Sequence, residues 1–308
     1  MRRPTRRALF AAIGGLTLGG CLSGGLGRSL PPEGTFPDDC PEYDRVTRVV
    51  AYDEIDPRET SIYLEPSSDS IREGDEATFT LSNQSGRAFA YNPYGWFLHK
   101  RVDGEWYYLE PRETPLPLEY LDNGETNEWD LRVDNDPVRA GSAIGGPGRG
   151  GRDPAVGLGG GEYAFGTRGW FEDESNEEAI GFCARFSLEA DALELTPTDE
   201  IDDTEWKDDV LVARSTRGDP DSDASRLGAY ELERTDDDVD AESMITETVL
   251  RNDRLRDVIA LAREYDADRV RLEEYDATTP IFGSREDGAY EYDGETCEIS
   301  TRELENGD

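Results

Sequence analysis

Residues Gly95 to Pro111, GWFLHKRVDGEWYYLEP, constrain this chain more than any other stretch. Asp103-Gly104 sits between two aromatic-rich runs and reads as the two-residue turn of a β-hairpin. That turn sets Val102 opposite Glu105, Arg101 opposite Trp106 and His99 opposite Tyr108. Side chains alternate across a strand. One face therefore carries Trp96, Leu98, Val102, Tyr107 and Leu109, which suits a core. The other carries Phe97, His99, Arg101, Trp106 and Tyr108. An arginine among aromatics is the residue mix of binding hot spots, so these five form the candidate binding patch. A plainer reading competes with it. Arg101 stacks on Trp106 as internal cover, worth ~0.5–1 kcal/mol, or a bulge turns Trp106 inward, and His99 is an ordinary strand residue.

The hairpin has company. SIYLEP from Ser61, DEATFTLSNQSG from Asp75, NEWDLRV from Asn127, GEYAFGTRGWF from Gly161 and AIGFCARFSLEA from Ala179 all read as strands. Trp96, Trp106, Trp129 and Trp170 fall within this region, as expected of one thick core between two sheets. Six or seven short strands with turn signals indicate a β-sandwich. REGDEATFTLSNQSG, FLHKRVDGEW, NGETNEWDLRV and GGGEYAF, in that order, resemble a bacterial immunoglobulin-like domain of small cell-surface lipoproteins. The resemblance covers about residues 61–190 and implies an antiparallel sandwich that serves as an accessory or binding module. The departure is a Gly-rich insertion, Ala140 to Gly161. It lacks the Gly-Lys-Ser/Thr of a phosphate loop and reads as a surface loop.

The resemblance thus implies an immunoglobulin-like β-sandwich over residues 61–195, and residues 196–308 read as a small α+β domain. Thr196 to Asp203 is Pro- and acid-rich, the composition of a linker. Beyond it come strands at DVLVARS, GAYELER and RVRLEEYD, helices at DAESMITETVL and DRLRDVIALAREY, and an Asp-Gly hairpin at AYEYDGETCEIST. Leu255, Val258, Ile259 and Ala262 share one helix face, with Asp253 as the N-cap. The order predicts one antiparallel sheet covered by a helix pair. Asp236, Asp238, Asp240 and Glu247 match the carboxylate spacing of a calcium loop, but Ala241 stands where the sharp turn needs Gly. In a chain with 70 acidic residues such spacings arise by chance, and an acidic helix start is the expected reading. No metal site is assigned.

The start of the chain concerns location. Arg2, Arg3, Arg6 and Arg7 precede a run of small and apolar residues from Ala8 to Gly20. As a helix this run extends about 20 Å, too short for a ~30 Å hydrocarbon core, and the layout is that of a secretory signal. Arg6-Arg7-Ala8-Leu9-Phe10 resembles a twin-arginine export signal, and Leu18-Gly19-Gly20-Cys21 resembles a lipobox. That resemblance implies residues 1–20 are removed, Cys21 is lipidated, and residues 21–60 are an anchored tether and lead-in. The alternative is cleavage elsewhere, with Cys21 discarded. The implied location is the outer face of the cytoplasmic membrane.

The formal charge of −38 becomes −42 once the four arginines of residues 1–20 are gone. Lys100 and Lys207 are the only lysines. Acid spread along the whole chain, with Arg in place of Lys, resembles proteins of extreme halophiles, where dense carboxylates keep a surface hydrated in molar salt. Such a surface, with no basic stripe to release counterions, argues against nucleic acid as a partner. With Cys21 acylated, Cys40, Cys183 and Cys297 remain. Cys40 with Cys183 is the expected disulfide, and one thiol is left over. No Cys/His spacing points to zinc.

His99 is the single histidine, so a catalytic triad lacks parts. No catalytic residue and no cofactor are assigned. The sequence reads as a membrane-anchored extracellular accessory or binding lipoprotein with an unidentified envelope or extracellular partner. The alternative is an inhibitor of an extracellular protease, since some bacterial proteinase inhibitors share this sandwich.

Overall fold

The structure is a computed structural model that describes residues 28–111, 116–144, 155–237, 239–283 and 287–304. The expected export signal, Cys21, residues 145–154 of the Gly-rich insertion and Asp238 lie outside the described residues. The fold is predominantly β. Among the described residues ten strands precede residue 190: β1 (Arg48–Ala51), β2 (Ile62–Pro66), β3 (Ser70–Arg72), β4 (Glu76–Asn83), β5 (Phe89–Val102), β6 (Glu105–Glu110), β7 (Glu119–Leu121), β8 (Thr126–Arg132), β9 (Gly161–Phe171) and β10 (Ile180–Glu189). They form a sandwich. The three-stranded sheet β2-β4-β8 faces a larger one of order β1-β10-β9-β5-β6, with β3 beside β10 and β7 beside β5.

Period-2 patterning decides which residues fill the space between the sheets. Ile62, Leu64, Phe79, Leu81 and Leu131 meet Leu98, Phe165, Phe182 and Phe186 there. Phe79 stacks on Phe165 at 4.2 Å, and Trp96 stacks on Phe165 at 5.6 Å. Fully burying one such ring is worth roughly 1.5–3 kcal/mol. Asn83 ends β4 inside this core. Its Nδ2 donates to Arg87 O at 2.7 Å and Leu121 O at 2.8 Å, while Oδ1 accepts from Ser85 N at 3.0 Å. The motif that ends a Phe-Thr-Leu strand in Asn is thereby a lock on the following turn.

Asp103 and Gly104 both take positive φ, 51° and 91°. That is the turn geometry whose twist matches a hairpin. Arg101 pairs with Trp106 and His99 with Tyr108, and a register shift falls between Leu98 and His99. Leu98 and Leu109 enter the core, with Trp96, Val102 and Tyr107 packed against it. Of the four tryptophans expected between the sheets, only Trp96 and Trp129 join that core; Trp106 packs on the far face, beside Cys40 and Cys183, and half-buried Trp170 alternates away from Phe171, which is in the core.

The lead-in expected over residues 21–60 is bound chain from Arg28 onward. Ser29 bridges Thr60, Arg48 Nη1 donates to Pro31 O at 2.9 Å, and β1 pairs parallel with β10. Val49 and Val50 are buried on opposite sides of the strand, one toward the disulfide and one toward the sandwich core.

The remaining strands are β11 (Ile201–Lys207), β12 (Val210–Ser215), β13 (Arg226–Arg234), β14 (Glu242–Met244), β15 (Arg269–Asp276), β16 (Gly288–Tyr292) and β17 (Glu295–Glu303), with helices α1 (Asp136–Arg139), α2 (Thr246–Val249) and α3 (Asp253–Glu264). They form one sheet of order β11-β12-β15-β13-β17-β16-β14, and α3 packs on β13 and β15. The sheet is mixed, not antiparallel, because β12 runs parallel to β15 and β14 to β16. The linker expected over residues 196–203 runs into β11. Its acids made it read as loop, but charged residues also suit an exposed edge strand. Thr198 N donates to Asp257 Oδ1 at 2.6 Å, tying this stretch to α3. The helix expected over residues 240–250 is only Thr246–Val249. Met244 packs on the second core and Ile245 enters the first. Adjacent side chains pointing to opposite sides require extended backbone. Asn252, not Asp253, caps α3, its side chain accepting from Leu255 N at 3.2 Å.

Candidate functional site

The five residues of the expected patch emerge together on the face of β5 and β6 that points away from the sandwich core. They do not stand in open solvent. Residues 36–46 cross in front of them and form the second wall of a groove. Four ties hold that wall. Cys40 and Cys183 are joined in a disulfide. Asp39 is gripped by Arg101 at 3.0 Å and Arg185 at 3.4 Å. Arg168 Nη1 donates to Asp44 O at 2.6 Å, and Thr47 N to Ala179 O at 2.8 Å. The groove is therefore built before any ligand arrives, which lowers the ordering cost of binding.

Glycine makes room for the wall. A Cβ at Gly166 would lie 2.3 Å from Tyr43 Oη, and one at Gly181 3.0 Å from Tyr43 Cδ2. Tyr43 thus lies across bare backbone of β9 and β10. Its ring meets Phe97 at 5.8 Å and the edge of His99 at 5.8 Å; Tyr108 approaches the other side of His99 at 5.2 Å.

The groove has two joined chambers. The larger, about 910 Å³, is lined by Phe36, Asp38, Glu42, Tyr43, His99, Glu105, Trp106 and Tyr108, among others. The smaller, about 310 Å³, shares Glu42, Tyr43, His99 and Tyr108 and adds Asp44, Phe97 and Arg168. These volumes span the range of small-ligand sites. Three of its lining side chains have a polar atom that is sealed from solvent and has no hydrogen-bond partner among the described residues: Tyr43 Oη, His99 Nδ1 and Trp106 Nε1. Each such atom costs roughly 1–3 kcal/mol when left unmade.

Burial sets the charge of the groove. It pushes His99 down to about 4, so the imidazole is neutral across the physiological range. Burial also pushes Tyr43 upward, and burial with the Glu110 charge pushes Tyr108 up to about 12. No carboxylate among the described residues orients His99, so the arrangement of a triad is missing. The chemistry present is hydrogen bonding, aromatic contact and negative charge.

Arg101 lies 5.6 Å from the Trp106 ring and pairs with Asp39. The arginine–tryptophan stack is therefore present, as cover at one end of the groove. Tyr108 is 47% exposed, with its hydroxyl donating to Pro111 O at 2.6 Å. Glu247, placed in the calcium spacing by the sequence, is buried instead: it pairs with Lys100 at 2.5 Å and accepts from Gly159 N at 3.1 Å. Cys297, the thiol left over, is buried in the second sheet's core.

Sequence reasoning missed the opposite wall. The signal was available: Ile180, Phe182, Ala184, Phe186 and Leu188 alternate toward the core, so Cys183 points outward. A disulfide from there carries Cys40, and Tyr43 with it, over the hairpin.

No protein-family model matches the chain, and the search of curated proteins finds no relative. Among solved structures, the alkylpurine DNA glycosylase AlkC of Pseudomonas fluorescens, bound to DNA containing an abasic site analog, is 12% identical, with a TM-score of 0.20. That match covers 42% of this chain and 31% of the glycosylase. The sporulation control protein Spo0M of Bacillus subtilis is 14% identical over 42% of this chain and 50% of its own, with a TM-score of 0.22. The chain thus spans half or less of either structure it resembles.

Proposed function

We propose that this protein is a lipid-anchored binding module on the outer face of the cytoplasmic membrane. It holds a partner in the groove between residues 36–46 and the β5–β6 hairpin and does not transform it. In this reading β1–β10 are an immunoglobulin-like sandwich, and β11–β17 with α2 and α3 a small α+β domain. The opposed sheets, with connections crossing from β4 to β5 and from β8 to β9, support the first assignment. The packing of α3 on β13 and β15 supports the second.

One observation carries the functional reading: a preformed groove of about 910 Å³ lined by aromatic side chains, with Phe36 and Tyr108 half exposed in it. Folding alone gives no return for large aromatic side chains left half exposed in a concave site, whereas a ligand that covers them does.

The test is capture of a partner from envelope extract in molar salt by the wild type and by Phe36→Ala and Tyr108→Ala. Both side chains are half exposed, at 54% and 47%, so the variants keep the wild-type melting temperature. Loss of capture by the folded variants is expected. Undiminished capture overturns the groove as the site, and inhibition of an extracellular protease by the wild type replaces this reading with the inhibitor one. Retention of Cys21→Ser at the membrane overturns the anchor.

A further inference from the structure

We infer that a second site, the cleft between the β5–β6 hairpin and the β11–β17 sheet, binds a neutral saccharide. His99 lines the groove and Lys100 lines this cleft, so the two sites lie on opposite faces of β5. The cleft has a volume of about 520 Å³, within the range of small-ligand sites. One wall is the β5–β6 turn with Tyr107, and the other is the β16–β17 turn with Tyr292. Residues 243–247, from the end of β14 into α2, line it between them. Two bonds between the walls' elements hold its shape: Tyr107 Oη meets Ser243 Oγ at 3.2 Å, and Lys100 Nζ donates to Glu247 Oε1 at 2.5 Å.

Charge narrows the ligand class first. Lys100, the basic residue of the lining, is committed to Glu247, and Asp293 is committed to Arg263 at 2.6 Å. Asp103 and Glu291 are exposed and form no ion pair among the described residues. A phosphate or carboxylate ligand therefore meets like charge and no uncommitted cation. A metal ion fits no better, because no three Asp, Glu, His or Cys side chains converge among the described residues to hold one. Hydroxyls make the positive case. Tyr107 with Ser243, and Tyr292 with Thr246 at 3.1 Å, are hydroxyl pairs in which either oxygen can donate. Tyr107 Oη also has Glu105 Oε2 at 3.5 Å. Such pairs reorient to serve a donor or an acceptor, and a sugar hydroxyl is both. The Asp103 and Glu291 carboxylates only accept, and sugar hydroxyls donate to them in charge-assisted bonds. Val102, Met244 and the two tyrosine rings add apolar wall for the C–H groups of the same sugar.

The test is a titration of the ¹⁵N-labelled protein in molar salt. It is read at the backbone amides of Gly160 and Gly294, which line the cleft, and at the Trp106 indole in the groove. The probes are maltose, cellobiose, lactose and α-1,2-mannobiose, with putrescine as a cationic comparator. At least one disaccharide is expected to shift both glycine resonances saturably, with a dissociation constant on the order of 1 mM, and to leave the indole unmoved. Asp103→Asn, Glu291→Gln and Tyr107→Phe keep the fold: asparagine accepts the φ of 51° at Asp103, and the other two changes conserve shape. Each is expected to weaken that sugar about three- to tenfold. No shift from any of the sugars overturns the inference. So does a shift that all three variants leave unchanged, or one that putrescine produces and the sugars do not. The groove has its own marker and its own capture test, so these results leave the reading of the groove where it stood.

Discussion

His99 and Lys100 are neighbours on β5 and almost equally buried, at 7% and 9% exposure, yet their surroundings are opposite. Lys100 points toward the second sheet, where Glu247 meets it at 2.5 Å and Gly159 N shares the same carboxylate. Beside it Arg251 gives Nε to Glu110 at 2.8 Å, Nη1 to Gly157 O and Glu247 O, and Nη2 to Val156 O. His99 points into the groove and keeps an unpaired nitrogen between two tyrosine rings. Burying a charge costs several kcal/mol unless partners surround it. The junction meets most of that demand with side chains and carbonyls from β5, β6, α2 and residues 156–159, leaving only Glu110 Oε2 without a partner among its described groups. The groove leaves a smaller demand unmet. Buried polarity therefore takes two forms here: a charged network that ties the two sheets together, and a neutral imidazole held between tyrosine rings.

The comparison predicts unequal costs for removing polar groups from the two regions. The largest effect belongs to the junction. Arg251→Met leaves the Glu110 carboxylate buried without its cation and orphans three carbonyls. The expected loss is about 3–5 kcal/mol, read by chemical denaturation. The double variant Arg251→Met with Glu110→Leu recovers part of it, because no lone charge remains. A loss below about 1 kcal/mol would show that water already reaches these groups, and the contrast with the groove would collapse.

The groove predicts a pH effect of intermediate size. Its histidine is held at about 4, below an unfolded value near 6.5. Between those values the unfolded chain binds the proton and the folded chain does not. Stability from this residue is fully present above pH 6.5 and is lost as pH falls toward 4, by at most about 1.4 kcal/mol per pH unit. Carboxylates titrate over part of the same window, so the quantity to read is the difference between wild type and His99→Phe. The wild type is expected to lose more on acidification, and parallel curves would mean that water or ligand already serves the imidazole.

How far the sequence revealed this contrast depends on the residue. The hairpin register and its two faces were legible because Asp-Gly fixes the turn and alternation does the rest. The sandwich strands were legible for the same reason. Lys100 was not: alternation put it on the core side with Leu98 and Val102, but its partner Glu247 lies 147 residues away. No local pattern encodes such a pairing. The acids of β11 hid a strand, because edge strands carry charge as loops do. Met244-Ile245 looked helical in the company of α2, although the two side chains serve different cores. The patch itself was legible as five residues on one face. Its meaning as a groove was not, since that required placing Tyr43 across two glycines.

The smallest expected effect tests whether the groove is open or sealed at its edge. Arg101 and Arg251 are both arginines paired to a carboxylate, but Arg101 leaves 26% of its side chain in water and Asp39 leaves 50%. Solvent screens that pair, so its worth falls to about 0–1 kcal/mol, and the stack on Trp106 adds ~0.5–1 kcal/mol. Arg101→Ala also leaves Asp39 with Arg185, and the wall with its disulfide. No buried charge is stranded, and no carbonyl loses its donor. The expected loss is therefore about 1 kcal/mol, several times smaller than for Arg251→Met under the same denaturant titration. A loss above about 2 kcal/mol would mean that Arg101 closes Trp106 into a packed layer, and the end of the groove would then belong with the closed junction.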